Sequence, residues 1–212
     1  MICVSIAEKD LKKVCNILKN HRFCELRLDL IKPSISDIEK LFSFNNKLII
    51  TCREKEGIDR MVYLKEALQF KPDYIDIEID MELEGKKHII DLSEKYGVKR
   101  IHSYHNYTQT PSIEWLNHLI EKEFVEFKPS IVKIATMVNS ESDNLKLLSL
   151  LMDDYPLVVI GMGDMGKKTR LLAPLLGSKF TFVSFNEKKT APGQIDFQKA
   201  ERFYSCFRET IK

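Results

Sequence analysis

The sequence carries no excess of charge of either sign. Its 33 lysines and arginines stand against 31 aspartates and glutamates along 212 residues, for a net charge of +2. A nucleic-acid binder concentrates basic residues in one stretch or on one face, and this balance argues against that partner. The pairs Lys167-Lys168 and Lys188-Lys189 are too short to alter it and read as solvated surface. Cysteine is sparse as well. Cys3, Cys15, Cys24, Cys52 and Cys206 are scattered, odd in number and nowhere spaced as CxxC, which excludes a zinc ribbon or a dithiol redox site and suits reduced thiols. No set of His, Asp and Glu falls at metal-ligand spacing, so no metal is expected. The stretch Met1 to Asp10 reaches Glu8 and Asp10 after a very short apolar run, and reads as neither a signal peptide nor a membrane span. Low-complexity segments and linkers are missing too. The expectation is a cytoplasmic protein, one domain over residues 1–212, with no nucleic-acid or membrane partner.

What is present is a regular alternation. Hydrophobic residues make up 44% of the chain, enough to bury a full core. Short apolar runs near 2–6, 23–29, 47–52, 74–79, 99–104, 130–136, 157–162 and 179–185 read as strands. Amphipathic segments near 8–20, 35–44, 59–70, 83–96, 112–125, 140–153, 166–175 and 196–211 read as helices between them. Pro33 with Ser34 and Ser36, Gly97, Thr110-Pro111-Ser112 and Pro192-Gly193 punctuate the alternation where helices begin or end. Strand-helix units repeated without a break in composition predict an α/β fold, a compact (β/α)8 TIM barrel.

Parallel strands in such a barrel are covered on both faces, yet several here are polar on one. Ile75, Ile77 and Ile79 share a face opposite Tyr74, Asp76, Glu78 and Asp80; Glu25, Arg27 and Asp29 share a face opposite Cys24, Leu26 and Leu28. Other strands end in Thr51-Cys-Arg53, Ser103-Tyr-His105 and Gly161-Met162-Gly163. Charges from so many strand ends are expected to converge on the C-terminal mouth, where barrel enzymes keep their sites. Within the sixth run, Ser130-Ile-Val-Lys-Ile-Ala-Thr136, lies Lys133. Burial penalises an ammonium group, and a lysine held neutral attacks carbonyls to form Schiff bases. His105 is the natural proton shuttle beside an imine; His21, His88 and His118 read as structural. A Schiff base needs no metal or other cofactor. A non-catalytic binding barrel is the bland alternative.

Gly161-Met-Gly-Asp-Met-Gly166 matches GxGxxG after an apolar run, with Glu187 further on, which opens a second possibility, a nicotinamide-dinucleotide-binding oxidoreductase. Asp164 beside a pyrophosphate, Pro174 in the following helix and the motif's place in the seventh unit weigh against it. The same loop, with Arg170 one turn into the helix, is suited to a substrate carboxylate.

These pieces occur in a known order. Glu25-Leu-Arg27 with Asp29, Thr51-Cys-Arg53, Asp76-Ile-Glu78, Ser103-Tyr-His105 with Thr110-Pro111, Val132-Lys133-Ile134, Met162 with Arg170, Leu176-Gly-Ser178 and Ala191-Pro-Gly-Gln194 together resemble type I 3-dehydroquinate dehydratases over almost the whole chain. The resemblance implies a homodimeric lyase in which Lys133 forms an imine with the ketone of 3-dehydroquinate. His105 then takes the proton from carbon 2 and delivers it to the hydroxyl leaving carbon 1, and water releases 3-dehydroshikimate. By the same resemblance Arg170 pairs with the carboxylate, Glu25, Arg27, Arg53 and Gln194 hold the ring hydroxyls, Thr190 supplies a hydroxyl, and Ser5 and Met162 line the site. Glu56 is the candidate for the glutamate that supports the histidine, although it lies three residues beyond Arg53 where the family has four. Thr190 replaces the family's usual serine, and Asn106 its usual aspartate. A Schiff-base aldolase on the same barrel is the alternative enzyme. The loop Lys188–Gln194 is the candidate lid.

Overall fold

The structure is a computed structural model that describes residues 1–186 and 188–210. Packing divides the chain into two units, Ser5–Ser103 and, with Met1–Val4, the chain from Tyr104 onward. β1 (Ile2–Ile6) and β5 (Lys99–Asn106) each have residues in both.

In the 5–103 unit the order is α1 (Leu11–Asn20), β2 (Phe23–Arg27), α2 (Leu28–Ile31), α3 (Ile35–Leu41), β3 (Lys47–Thr51), α4 (Arg60–Gln69), β4 (Tyr74–Glu78) and α5 (Leu83–Tyr96), leading into β5. β2, β3, β4 and β5 pair in parallel, with Arg27 opposite Thr51, Thr51 opposite Asp76 and Glu78 opposite Ser103. Parallel neighbours need a crossover of a dozen or so residues, which α3, α4 and α5 provide. Side chains hold the helix starts: Asp10 accepts from Lys12 N–H at 2.9 Å, Asp59 from Val62 N–H at 3.1 Å, and Glu82 from Glu84 and Gly85 N–H at 2.9 Å. α5 stops at Gly97, whose φ of 71° suits glycine. Leu26, Ile49, Ile50, Ile75, Leu64 and Leu68 are buried, so strands are covered and helices turn one face inward. One expected element is shorter than its apolar pattern. The run 23–29 leaves the strand at Arg27, because Leu28–Ile31 coil into α2. Asp29 therefore does not continue the face of Glu25 and Arg27; it folds back beside Arg27.

The second unit runs from the end of β5 through α6 (Ile113–Phe127), β6 (Ile131–Met137), α7 (Glu141–Ser149), β7 (Leu157–Met162), α8 (Lys167–Leu172), β8 (Thr181–Ser184), β9 (Ile195–Asp196) and α9 (Phe197–Thr210). β6 and β7 are parallel from Val132 opposite Leu157 to Met137 opposite Met162. Ile2, Cys3 and Val4 of β1 lie along Thr181, Phe182 and Val183 of β8, and Lys179 N–H donates to Leu157 O at 2.9 Å, joining the approach of β8 to the start of β7. The helix expected over 166–175 is α8 followed by a 3-10 turn, Ala173–Leu175, because Pro174 lacks the N–H that would extend it. β9 was not expected from the pattern; its two residues lie beside Val183 and Ser184 and draw the two ends of the 185–194 loop together. Glu187 and residues 211 and 212 lie outside the described residues.

Candidate active site

In the 5–103 unit the polar residues at the strand ends satisfy one another. A buried carboxylate must exchange water for hydrogen bonds. Glu25, 4% exposed, accepts from Thr51 Oγ1 at 2.8 Å through Oε1 and from Ser5 Oγ through Oε2. Arg27 grips Asp29 with both arms of its fork, Nε to Oδ1 at 2.9 Å and Nη2 to Oδ2 at 2.7 Å, the strongest geometry for this pair. Arg53, just beyond β3, places Nη2 2.8 Å from Asp76 Oδ1, and its Nη1 donates to Ser103 Oγ at 3.2 Å. Ser103 passes the chain on, donating to Asp76 Oδ1 at 2.6 Å. Glu78 stands between two arginines, Arg53 at 3.5 Å and Arg60 at 3.0 Å.

Burial alone lowers an arginine's pKa, but in Arg53 the carboxylates of Asp76, Glu78 and Glu25 override it, and in Arg27 those of Asp29 and Glu25 do the same, so both are held above the ordinary value. Glu78 goes the other way. Desolvation raises its pKa, and Arg53 only partly offsets that. Between Thr51 and Arg53, the Cys52 thiol is pushed up to about 12, chiefly by burial, and stays protonated near neutrality.

In the second unit a buried lysine packs against an aromatic ring. Lys133 lies mid-strand in β6, 5% exposed, opposite Val158 on β7, with Nζ 4.5 Å from the centroid of the buried Phe182 ring on β8. An aromatic face attracts a cation. His105 is half-buried near the end of β5, its ring stacked at 6.1 Å on Tyr107. Asn106 Oδ1 accepts from Thr108 N–H and Gln109 N–H at 3.0 Å and from Thr108 Oγ1 at 2.8 Å. This Asx turn fixes the course of the chain after the histidine. Thr110 Oγ1 then donates to Met137 O at 2.8 Å, tying the loop to the end of β6.

Arg170 is the sharpest feature. It is 2% exposed on α8, its Nη2 donates to Pro192 O at 3.0 Å, and its buried Nε has no hydrogen-bond partner among the described residues. Desolvation lowers its pKa to about 10. A carbonyl oxygen does not neutralise a guanidinium, so the group is set to receive an anion. Gln194, also 2% exposed, accepts through Oε1 from Thr190 N–H at 2.7 Å and from Thr190 Oγ1 at 3.1 Å. The expected lid is thus anchored at Thr190, Pro192 and Gln194.

The GxGxxG glycines serve the chain itself. A Cβ on Gly166 would sit 2.4 Å from Gly161 C, and one on Gly193 would sit 2.1 Å from Gly163 O. The loop after β7 closes on itself and receives the 188–194 loop at the place where a pyrophosphate would need to approach the backbone. Glycine is required there for packing, which removes the reason to invoke a dinucleotide.

The profile of the type I 3-dehydroquinase family matches residues 2–211. The chain belongs to this family. A 3-dehydroquinate dehydratase of Methanococcus maripaludis (strain C5 / ATCC BAA-1333) is 34% identical over 218 residues, covering 94% of this chain and 96% of its own. The crystal structure of the 3-dehydroquinate dehydratase from Aquifex aeolicus VF5 is 28% identical with a TM-score of 0.82 over 98% of each chain. That of the type I enzyme from Clostridium difficile, carrying covalently modified comenic acid, is 26% identical with a TM-score of 0.81 over 99% of this chain and 92% of its own. These likenesses bear out the expected α/β, (β/α)8-type fold and the reading as a 3-dehydroquinate dehydratase, a hydro-lyase of the shikimate pathway.

The family's residues can now be placed one by one. Ser5, Glu25, Arg27 and Arg53 belong to the first cluster; Lys133, His105, Met162, Arg170, Thr190 and Gln194 belong to the second unit. Met162 is 1% exposed at the end of β7. Glu56 is exposed, at the tip of a turn whose flanking residues Lys55 and Ile58 bridge each other. Phe182 under Lys133 and Arg60 on Glu78 went unforeseen. The aromatic alternation of Phe180 and Phe182 was the available signal for one; nothing in a helix-start arginine singles out the other.

Proposed function

We propose that the chain dehydrates 3-dehydroquinate to 3-dehydroshikimate through an imine on Lys133, as a homodimeric cytoplasmic enzyme with a single domain over residues 1–212 and no cofactor. The Lys133 amine adds to the substrate ketone and water leaves, giving an iminium whose positive nitrogen draws electrons from the neighbouring carbon. His105 removes the proton from carbon 2, the C–O bond at carbon 1 breaks, and the same proton leaves with the hydroxyl as water. Hydrolysis of the iminium returns the lysine and the product ketone. Arg170 binds the carboxylate. Glu25, Arg27, Arg53, Thr190 and Gln194 hold hydroxyls, Met162 and Ser5 line the site, and Glu56 supports the histidine.

The observation that carries this reading is the burial of Lys133 against Phe182 in an otherwise apolar strand. Phe182 offers the positively charged iminium a face to rest on. The free cysteines among the described residues suit a reducing cytoplasm, and none of the described helices is long and apolar enough to cross a membrane. Reduction with borohydride in the presence of 3-dehydroquinate, followed by peptide mass spectrometry, is expected to place the adduct on Lys133. An unmodified Lys133 in enzyme that still turns over would overturn the imine.

A further inference from the structure

A pocket of about 370 Å³, which shares Gln194 with the residues assigned to the dehydration, is lined by Lys167, Ser184, Lys189, Gln194, Ile195, Asp196 and Lys199. Lys133, His105, Met162 and Arg170 do not line it. It takes one lysine from the start of α8, one from the loop after β8 and one from the first turn of α9. Three lysines against one aspartate leave the lining with a charge of +2. Lys167 is paired at 2.6 Å with Asp164, which is not part of the lining. Lys189 and Lys199 make no ion pair or hydrogen bond among the described residues, although Asp164 feels the charge of Lys189 as well as that of Lys167. Asp196 opposes an anion least where it is already engaged: its Oδ1 accepts from Gln198 N–H at 3.0 Å, at the start of α9. The positive end of that 14-residue helix points the same way as the lysines in charge.

Like charges gathered around a concave site repel one another unless a counter-ion joins them. Gln194 adds a neutral donor, since its Oε1 is taken by Thr190 while its amide NH2 donates to no described residue. The volume falls within the roughly 300–1,000 Å³ typical of small-ligand pockets. In (β/α)8 folds the loops after the seventh and eighth strands often hold phosphate groups, and here the lining comes from the segment after β8 and from the start of α8, the helix that follows β7.

We infer that this pocket binds a phosphate-sized dianion, either inorganic phosphate or the phosphoryl group of a small organic ester. The lysine ammonium groups act as point donors to its oxygens, with Gln194 and the start of α9 completing the cradle. The substrate of the dehydration has no phosphate, so this is a separate ligand, and its binding does not require the Lys133 imine.

The test is a titration of the intact protein with inorganic phosphate, and in a second arm with glycerol 3-phosphate, by isothermal calorimetry in zwitterionic buffer with ionic strength held constant by sodium chloride. Saturable binding is expected in at least one arm, and the tighter arm identifies the source. The double variant Lys189→Glu/Lys199→Glu is expected to weaken that binding at least tenfold. Lys122→Glu/Lys179→Glu, the same charge change at exposed positions outside the pocket, is expected to change it less than twofold. No saturable binding in either arm, or equal weakening by the two double variants, overturns the inference. Enone absorbance from 3-dehydroquinate, read on the same samples, reports the dehydration separately and checks that each variant is folded.

Discussion

Two buried guanidiniums, one in each unit, are held in opposite ways. In the 5–103 unit Arg53 belongs to a network of partnered strand-end groups: Glu25 with Thr51 and Ser5, Arg27 with Asp29, Arg53 with Asp76 and Ser103. In the other, Arg170 has a single carbonyl partner and an Nε unmatched among the described residues. A satisfied network is rigid and holds its donors in fixed positions. An incompletely satisfied group is costly to the fold but holds interaction free energy in reserve for a ligand. The network around Arg53 is thus fixed in place, while Arg170 keeps capacity for an anion.

Substitutions break that contrast in order of size. Lys133→Ala is expected to abolish turnover, since no other described group in its strand can form the imine, and His105→Ala is expected to retain imine formation while losing most of the elimination. Enone absorbance and borohydride trapping on each variant read the two steps apart. Dehydration at the wild-type rate by either variant would contradict the assigned division of labour.

Arg170→Met comes next and carries two effects of opposite sign. Removing a charged partner of the carboxylate is expected to lower kcat/KM by about 10²–10³, mostly through KM, as losses of about 3–4 kcal/mol at buried charged hydrogen bonds do. The fold is expected to gain about 1–2 kcal/mol, because methionine fills the space without the desolvation that lowers the arginine's pKa to about 10. Urea unfolding decides it; a lower midpoint would mean that the Pro192 contact outweighs the stranded charge. Asp76→Asn is the counterpart in the network around Arg53. It removes the main partner of Arg53, and a loss of about 3 kcal/mol is expected, seen as a lower urea midpoint at unchanged slope. If Asp76→Asn stabilised and Arg170→Met destabilised, the contrast between the two guanidiniums would be reversed.

Much of this was legible in the residues, and the gaps have physical causes. Apolar runs separated by amphipathic segments gave the strands because each is buried on both faces. Lys133 stood out because a charge in an apolar run is costly, and Arg170 because it lies one turn into the helix after a glycine-rich loop. The Asp29 reading failed because α2 is a four-residue helix, too short to impose a period, so alternation runs through it unbroken. GxGxxG misled for a related reason. A pattern of small residues records that something comes close, and here the something is the Gly161–Gly166 turn and the Gly193 backbone. The Phe182 contact of Lys133 joins residues 49 positions apart, beyond the reach of any local pattern. Asn106, where the family usually has aspartate, keeps the acceptor oxygen that the turn after His105 uses, so that departure preserves the local geometry.

The smallest expected effect concerns Glu78, the carboxylate beside Arg53 and Arg60 whose pKa moves against its own charge. Desolvation raises it above the ordinary 4.5, with Arg53 pulling the other way. The folded protein then holds this proton at pH values where the unfolded chain has released it, so its contribution to stability declines as pH rises through the window just above 4.5. Glu78→Gln lacks that titration. The difference in unfolding free energy, wild type minus variant, is therefore expected to fall as pH rises from about 4.5, while acid effects common to both proteins cancel. The arginines set the opposing expectation. Were Arg53 at 3.5 Å and Arg60 at 3.0 Å to dominate, the carboxylate would be favoured on folding and the difference would rise over the same window. The slope of that one curve decides whether burial or pairing governs the edge of the network.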